Sequence, residues 1–218
     1  MKKRKNIITV AIDSGAAAGA GTVAKSIAYH YNLFYLDTGK IYRYIGLLKI
    51  KNKKKFNYSL IKIKMNNLKI KNLYNKNLLS DKVATSASKI AKDNKIRKLV
   101  RTFQTQYAYC PPKKYNGSIL DGRDITTVIM KDAMFKFFIT ADIKTRAMRR
   151  YKEYKNLNKK IDYKEVLKSM KNRDKSDKER RFGKLKKTKD STLINTSKLS
   201  KRACFLKIKR IMDRKLKV

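Results

Sequence analysis

Asp13-Ser14-Gly15-Ala16-Ala17-Ala18-Gly19-Ala20-Gly21-Thr22 is the stretch on which the fold turns. It follows a short β-branched run, Ile7 to Ile12, and precedes a helical pattern from Thr22 to Tyr31, so it reads as the loop of a strand, loop and helix unit. Small side chains let backbone N–H groups approach an anion, and the following helix adds favourable partial charge at its N-terminus. Ser14, Gly15, Ala16, Ala17, Ala18, Gly19, Ala20, Gly21 and Thr22 are therefore candidates to cradle a polyphosphate, with the Thr22 hydroxyl as a ligand for Mg²⁺. The general phosphate-loop pattern is Gly, four residues, Gly, Lys and a hydroxyl; here Ser14 stands for the first Gly and Ala20 for the lysine. Taken alone, the segment is explained equally well as a small-residue turn that lets a helix pack on a sheet.

The unit repeats. Leu33 to Leu36 is a second apolar run ending at Asp37-Thr38-Gly39, after which Ile41, Tyr42, Ile45 and Leu48 recur at helical spacing. Such alternation predicts a three-layer α/β fold, a central parallel sheet whose ligands gather beyond the carboxyl ends of its strands. From Lys51 to Leu79 the composition shifts to Lys and Asn with alternating patches such as Leu60-Ile61-Lys62-Ile63-Lys64, which predict a small β insertion. Helices are expected from Asp81 to Lys92 and from Lys95 to Tyr109, closed off by Pro111-Pro112. Ser118 to Leu120 reads as a strand leading into Asp121-Gly122-Arg123-Asp124, and Met134 to Thr140 as another before a helix near Asp142. Ile161 to Arg181 is helical but so charged that it predicts an exposed, mobile element with little apolar face. A last strand, Thr192 to Asn195, and an amphipathic helix from about Lys198 close the chain.

At 218 residues the chain suits one core with a small inserted element. Fifty-eight Lys and Arg against 16 Asp and Glu give a formal net charge of +42. That excess favours anionic ligands, and nucleic acid is one candidate because basic groups neutralise phosphates and release counterions. Yet Lys, Asn and Ile also crowd segments with no binding pattern, such as Lys49 to Lys71, so a compositional bias is the plainer reading. His30 is the only histidine, which leaves no Ser-His-Asp triad in its usual form and little for a histidine metal site. Cys110 and Cys204 lack any metal or redox spacing, and the apolar start is cut at Asp13, short of a signal or a span. A cytoplasmic protein without a membrane partner is expected.

Taken together and in order, these segments resemble the cytidylate kinase family over nearly the whole chain. The family pattern Asp-Gly-Pro-x-Gly-x-Gly-Lys-Gly-Thr lies over Asp13 to Thr22, and Leu-Asp-[Ser/Thr]-Gly-Ala-x-Tyr-Arg over Leu36 to Arg43. Asp-Gly-Arg-Asp-x-Gly-Thr-Val lies over Asp121 to Val128 with Thr126 for Gly, and Arg-Ala-x-Arg-Arg over Arg146 to Arg150. Arg173-Asp174 with Asp177 and Arg180 follows the lid spacing, and Asn195-Thr196-Ser197 resembles the Asp-[Ser/Thr]-[Ser/Thr] after the last strand. The resemblance implies a single P-loop NTPase domain, with a nucleoside-monophosphate-binding insertion at about residues 52–85 and a lid at about 155–183. It further implies transfer of a phosphoryl group from ATP, with Mg²⁺, to CMP or dCMP by a monomer that needs no specific nucleic acid. Thr38, Tyr42, Arg43 and Arg123 would surround the acceptor phosphate, with Arg180 approaching from the lid. Ser88, Arg97 and Asp124 would contact the cytosine, and Arg173 and Asp177 the sugar. A kinase for UMP or AMP, or an inactive relative that binds RNA, are the alternative readings.

The departure from the family at Ala20 matters, because the loop lysine spans the phosphates that exchange the group. A reciprocal change stands nearby: Lys40 occupies the place where the family has Ala. Opening a helix beside the acceptor phosphate, Lys40 is a candidate transplanted cation alongside Arg43, Arg123 and Arg180.

Overall fold

The β-branched run at the start of the chain becomes β1 (Ile8–Ser14), and the small-residue segment after it turns directly into α1 (Ala20–His30). The computed structural model describes residues 4–157 and 160–217. β2 (Leu33–Asp37) and α2 (Gly39–Lys51) follow, then α3 (Tyr58–Asn66), α4 (Asp81–Ile90) and α5 (Asn94–Tyr109). The second half runs β3 (Gly117–Gly122), β4 (Phe135–Thr140), α6 (Ile143–Asn156), α7 (Tyr163–Glu179), β5 (Thr192–Asn195) and α8 (Lys201–Leu216).

The five strands form one parallel sheet in the order β2-β3-β1-β4-β5. Alternate residues of a strand face opposite sides, and here each side has its own core. Val10 and Ile12 of β1 join Ile119, Phe137 and Ile139 against Val23, Ile27, Ile208 and Met212 of α1 and α8. Ala11, Leu36 and Leu120 face the other way, onto Ile41 and Ile45 of α2 and Val100 and Phe103 of α5. Three layers result, as the alternation of elements predicts. The chain leaves β1 toward one edge and crosses from β3 past β1 to β4, so the carboxyl ends of these strands flank the crevice where ligands of such sheets bind.

Two expectations are corrected. No strand occurs between Lys51 and Leu79 among the described residues; Tyr58–Asn66 is helical and two 3₁₀ turns follow, Ile70–Tyr74 and Lys76–Leu79. Period four outweighs the apparent alternation: Ile61 and Met65 are buried on one face while Ile63 is 57% exposed, and Asn57 caps the helix by accepting from the Leu60 N–H at 2.9 Å. The charged stretch over α7 also has a buried stripe. Val166 and Met170 pack with Ala147 of α6 and Ala16 of the loop after β1, each such side chain contributing about 1.5–3 kcal/mol. Tyr163 and Leu167, partly buried, widen the stripe, and so short an apolar face seats a helix that is otherwise polar.

Candidate active site

Ser14, Asp37 and Asp121, at the carboxyl ends of β1, β2 and β3, open onto one cavity of about 660 Å³. On one side lies the loop after β1. Gly19, at φ 88°, is the N-cap of α1 and holds the left-handed conformation that glycine adopts without strain. Ala16, Ala18 and Ala20 turn their methyl groups into the protein, so backbone rather than side chain faces the cavity. A Cβ on Gly21 would stand 3.3 Å from both Asp121 Oδ2 and Tyr35 Oη, which explains a second small residue there. Thr22 is exposed at the first turn of α1 and lines the cavity together with Ser14 and Gly15.

Across the cavity stands a nest of arginines. Thr38, the N-cap of α2, is fixed by donating its hydroxyl to the Asp121 carbonyl at 2.7 Å. Arg43, one turn along α2, donates to the Leu78 carbonyl at 2.7 Å. Arg123 Nε donates to Asp177 at 2.7 Å, and Arg180 meets the other oxygen of Asp177 at 3.4 Å. Arg97 is paired with Asp124, donates to the Ala91 carbonyl at 3.0 Å and lies 5.6 Å over the Tyr42 ring. Gly183, at φ 61°, admits this pair, because a Cβ there would overlap the Arg97 guanidinium.

Arg173 is the exception in this nest. Its Nε is buried without a hydrogen-bond partner, and burial, with Arg123, Arg43 and Arg150 nearby, holds its pKa down to about 10 against the pull of Asp177. Arg43 and Arg180 are likewise held below the usual arginine range, first by burial. In spite of burial, Arg97, beside Tyr42 and Asp124, and Arg123, beside Asp177, are instead held above that range. Ser88 of α4 lines the same cavity. So does Lys40, but its Nζ rests 5.4 Å over the ring of Tyr74 in the insertion.

Several residues of the site lie within the quoted motifs but carry no role in the sequence expectations. Asp13, fully buried at the end of β1, accepts hydrogen bonds from the Ile125 N–H at 2.7 Å, the Thr126 N–H at 2.9 Å and the Thr126 hydroxyl at 2.5 Å. One carboxylate thus ties the root of the loop to the residues that follow Arg123 and Asp124. Burial pushes its pKa up to about 6 although these bonds pull it down. An aspartate at the end of an otherwise apolar strand was the signal available. Thr126→Val should therefore cost about 1.5–3 kcal/mol in urea unfolding at pH 7–8, the range for a bond to a charged group. The gap to wild type should narrow as pH falls toward about 6 and stay narrow below it, because the lost bond favours the charged carboxylate. Arg146 is a second brace, donating to the Ala16 carbonyl at 3.3 Å and to both oxygens of Asp174 at 3.0 and 2.6 Å.

A third missed feature bears on Mg²⁺. Asp37 and Asp121 are register partners on neighbouring strands, and burial followed by the charge of Asp37 pushes the Asp121 carboxyl well above its usual range. Asp121 also lies against Gly21, one residue before Thr22. Two carboxylates and a hydroxyl are hard oxygen donors of the kind Mg²⁺ takes. No group of three or more His, Cys, Asp or Glu suited to a metal occurs among the described residues.

A backbone cradle and an arginine nest facing each other above a parallel sheet of this order place the chain among the P-loop phosphotransferases. Within that class it belongs to the cytidylate kinase family, whose model matches residues 10–214. It is similar to a cytidylate kinase of Clostridium botulinum, 37% identical over 201 residues, covering 87% of this chain and 90% of that one. A cytidylate kinase of Bartonella bacilliformis is 38% identical over 196 residues, covering 89% of each. The fold is also that of the crystal structure of an uncharacterized protein from Eubacterium ventriosum, 19% identical, with a TM-score of 0.56 and coverage of 94% of this chain and 98% of the other.

Proposed function

We propose that the protein transfers the γ-phosphoryl group of ATP to CMP or dCMP, giving ADP and CDP or dCDP. The observation that carries this reading is Arg173, a buried guanidinium with an unpartnered Nε in a nest of like charges facing the loop across one cavity. A bound monophosphate would bring its phosphate to Arg43 and Arg123 and its sugar alongside Arg173. Thr38, Tyr42, Arg43 and Arg123 hold the acceptor phosphate, and Arg180 meets the transferred group. Ser88, Arg97 and Asp124 read the cytosine, while Arg173 and Asp177 take the sugar. Ser14 through Thr22 take the donor phosphates through backbone N–H groups. Mg²⁺, held by Thr22 with Asp37 or Asp121 behind it, would neutralise charge between the donor phosphates. Residues at about 155–183 serve as the lid and those at about 52–85 as the acceptor-binding insertion.

Lys40 reaches the transferred group from the acceptor side once its ammonium leaves Tyr74, which is 70% exposed and offers a weak hold. Lys40→Ala should lower kcat about tenfold or more; full turnover by that variant would remove Lys40 from the reaction. No helix among the described residues is long and apolar enough to cross a membrane. We place the enzyme in the cytoplasm, where its nucleotide substrates are. Release of ADP measured with CMP, dCMP, UMP and AMP tests the whole reading. Turnover of CMP and dCMP well above UMP and AMP is expected, and absence of CDP formation would overturn it.

A further inference from the structure

Ala20 leaves an electrostatic gap on the donor side of the cavity. It opens α1 with its methyl 4% exposed, and no residue from Ser14 to Thr22 carries a positive charge. The cations of the nest stand on the acceptor side, Lys40 rests on the insertion, and Lys25 and Lys201 line the cavity only from exposed positions on α1 and α8. Arg149 of α6 is placed differently. Its Nη1 lies 3.8 Å from where a Cβ of Gly19 would be, against the N-cap of α1.

This guanidinium is held in place. Nη1 donates to Thr196 Oγ1 at 2.9 Å and Nη2 to the Thr196 carbonyl at 2.7 Å. The same Thr196 hydroxyl donates to the Ala18 carbonyl at 2.8 Å, so loop, β5 end and α6 share one joint. One turn earlier, Arg146 fastens α6 to the Ala16 carbonyl. A guanidinium has more N–H groups than these two bonds use, and Arg149 lines the cavity with the rest available to an anion. A cation fixed before the substrate arrives loses little in reorganising when charge develops.

We propose that Arg149 supplies the donor-side positive charge that the loop lacks, holding the phosphate next to the one transferred. The inference rests on the phosphoryl-transfer reading above. In that reaction an acceptor phosphate oxygen forms a bond to the γ-phosphorus while the bond to the bridging oxygen breaks. The electron pair stays with the departing diphosphate and no proton changes hands. Negative charge therefore grows on the diphosphate, beside Gly19 and Arg149.

The test compares wild type with Arg149→Gln, Arg149→Lys, Ala20→Lys and the double variant Arg149→Gln/Ala20→Lys, with kcat and both KM values measured separately and ADP and CMP binding followed by calorimetry. The amide of Gln keeps a donor for Thr196 without the charge, so folding and chemistry are separated. Wild type that forms no CDP sinks the phosphoryl-transfer reading itself, whatever Arg149 does. With active wild type, Arg149→Gln should lower kcat about a hundredfold and weaken ADP binding while leaving CMP binding within about twofold. Arg149→Lys should retain most of the activity, and lysine at position 20 should recover at least about tenfold in the Arg149→Gln background. Arg149→Gln with wild-type kcat and ADP affinity, or an equal loss of ADP and CMP binding, would overturn the proposal.

Discussion

Arg123→Ala is expected to lower kcat for CMP about a hundredfold to a thousandfold, the range for removing one fixed stabiliser of transition-state charge. Arg123 follows the carboxyl end of β3 and is the cation that meets Asp177 at 2.7 Å, so its loss has two effects. The acceptor phosphate loses a donor capable of two parallel bonds, and Asp177 is left with Arg180 at 3.4 Å and Arg173 nearby. The Asp177 carboxyl is held below its usual range by Arg123 in spite of burial, and its pKa should rise in the variant. Arg123→Lys keeps the charge but not the fork, and should recover only part of the loss. Single-turnover kinetics with CMP would separate chemistry from product release. Equal kcat in Arg123→Ala and wild type would remove Arg123 from the role proposed for it.

Much of the fold was legible because its strands are short, mostly apolar runs that end at or beside a polar residue, and a parallel sheet sets those ends along one edge. The register that sets Asp37 beside Asp121 could not be read that way, since it depends on how β2 slides against β3. The insertion was misread for a physical reason. Lysines between apolar residues imitate a strand, and only the burial of Ile61 and Met65 against α5 and its neighbours shows that a period of four governs. In the site, residues such as Arg97 and Asp124 were named singly, each matched to a motif. Their pairing with one another, and the room Gly183 leaves for it, are three-dimensional facts that no local pattern contains. The same holds for Asp13, Arg146 and Arg149. Their partners across the site, backbone groups together with Thr126, Asp174 and Thr196, lie 28 to 130 residues away in the chain, so no local pattern joins them. The +42 charge obscured these further, because one useful arginine among 58 basic residues does not announce itself.

Arg173 gives the prediction whose two halves run in opposite directions. Arg173→Met should raise the free energy of unfolding without nucleotide by about 1–3 kcal/mol, while raising the KM for CMP about a hundredfold. The first half follows from the unpartnered Nε and the depressed pKa of about 10, which record that the folded protein disfavours this charge at neutral pH. A lowered arginine pKa means that the folded form binds its proton less tightly than the unfolded one. The penalty is therefore fully present below about pH 10, fades as pH rises from there toward the ordinary arginine range, and is constant through the working range. Methionine fills much of the same space without the charge. The second half follows because CMP brings the anion that relieves the repulsion among Arg43, Arg123 and Arg173. Saturating CMP should accordingly stabilise wild type far more than the variant, and the order of their melting temperatures should reverse on adding it. A variant less stable than wild type in the absence of nucleotide would show that the charge of Arg173 stabilises the protein by itself, and the role proposed for it toward CMP would fall.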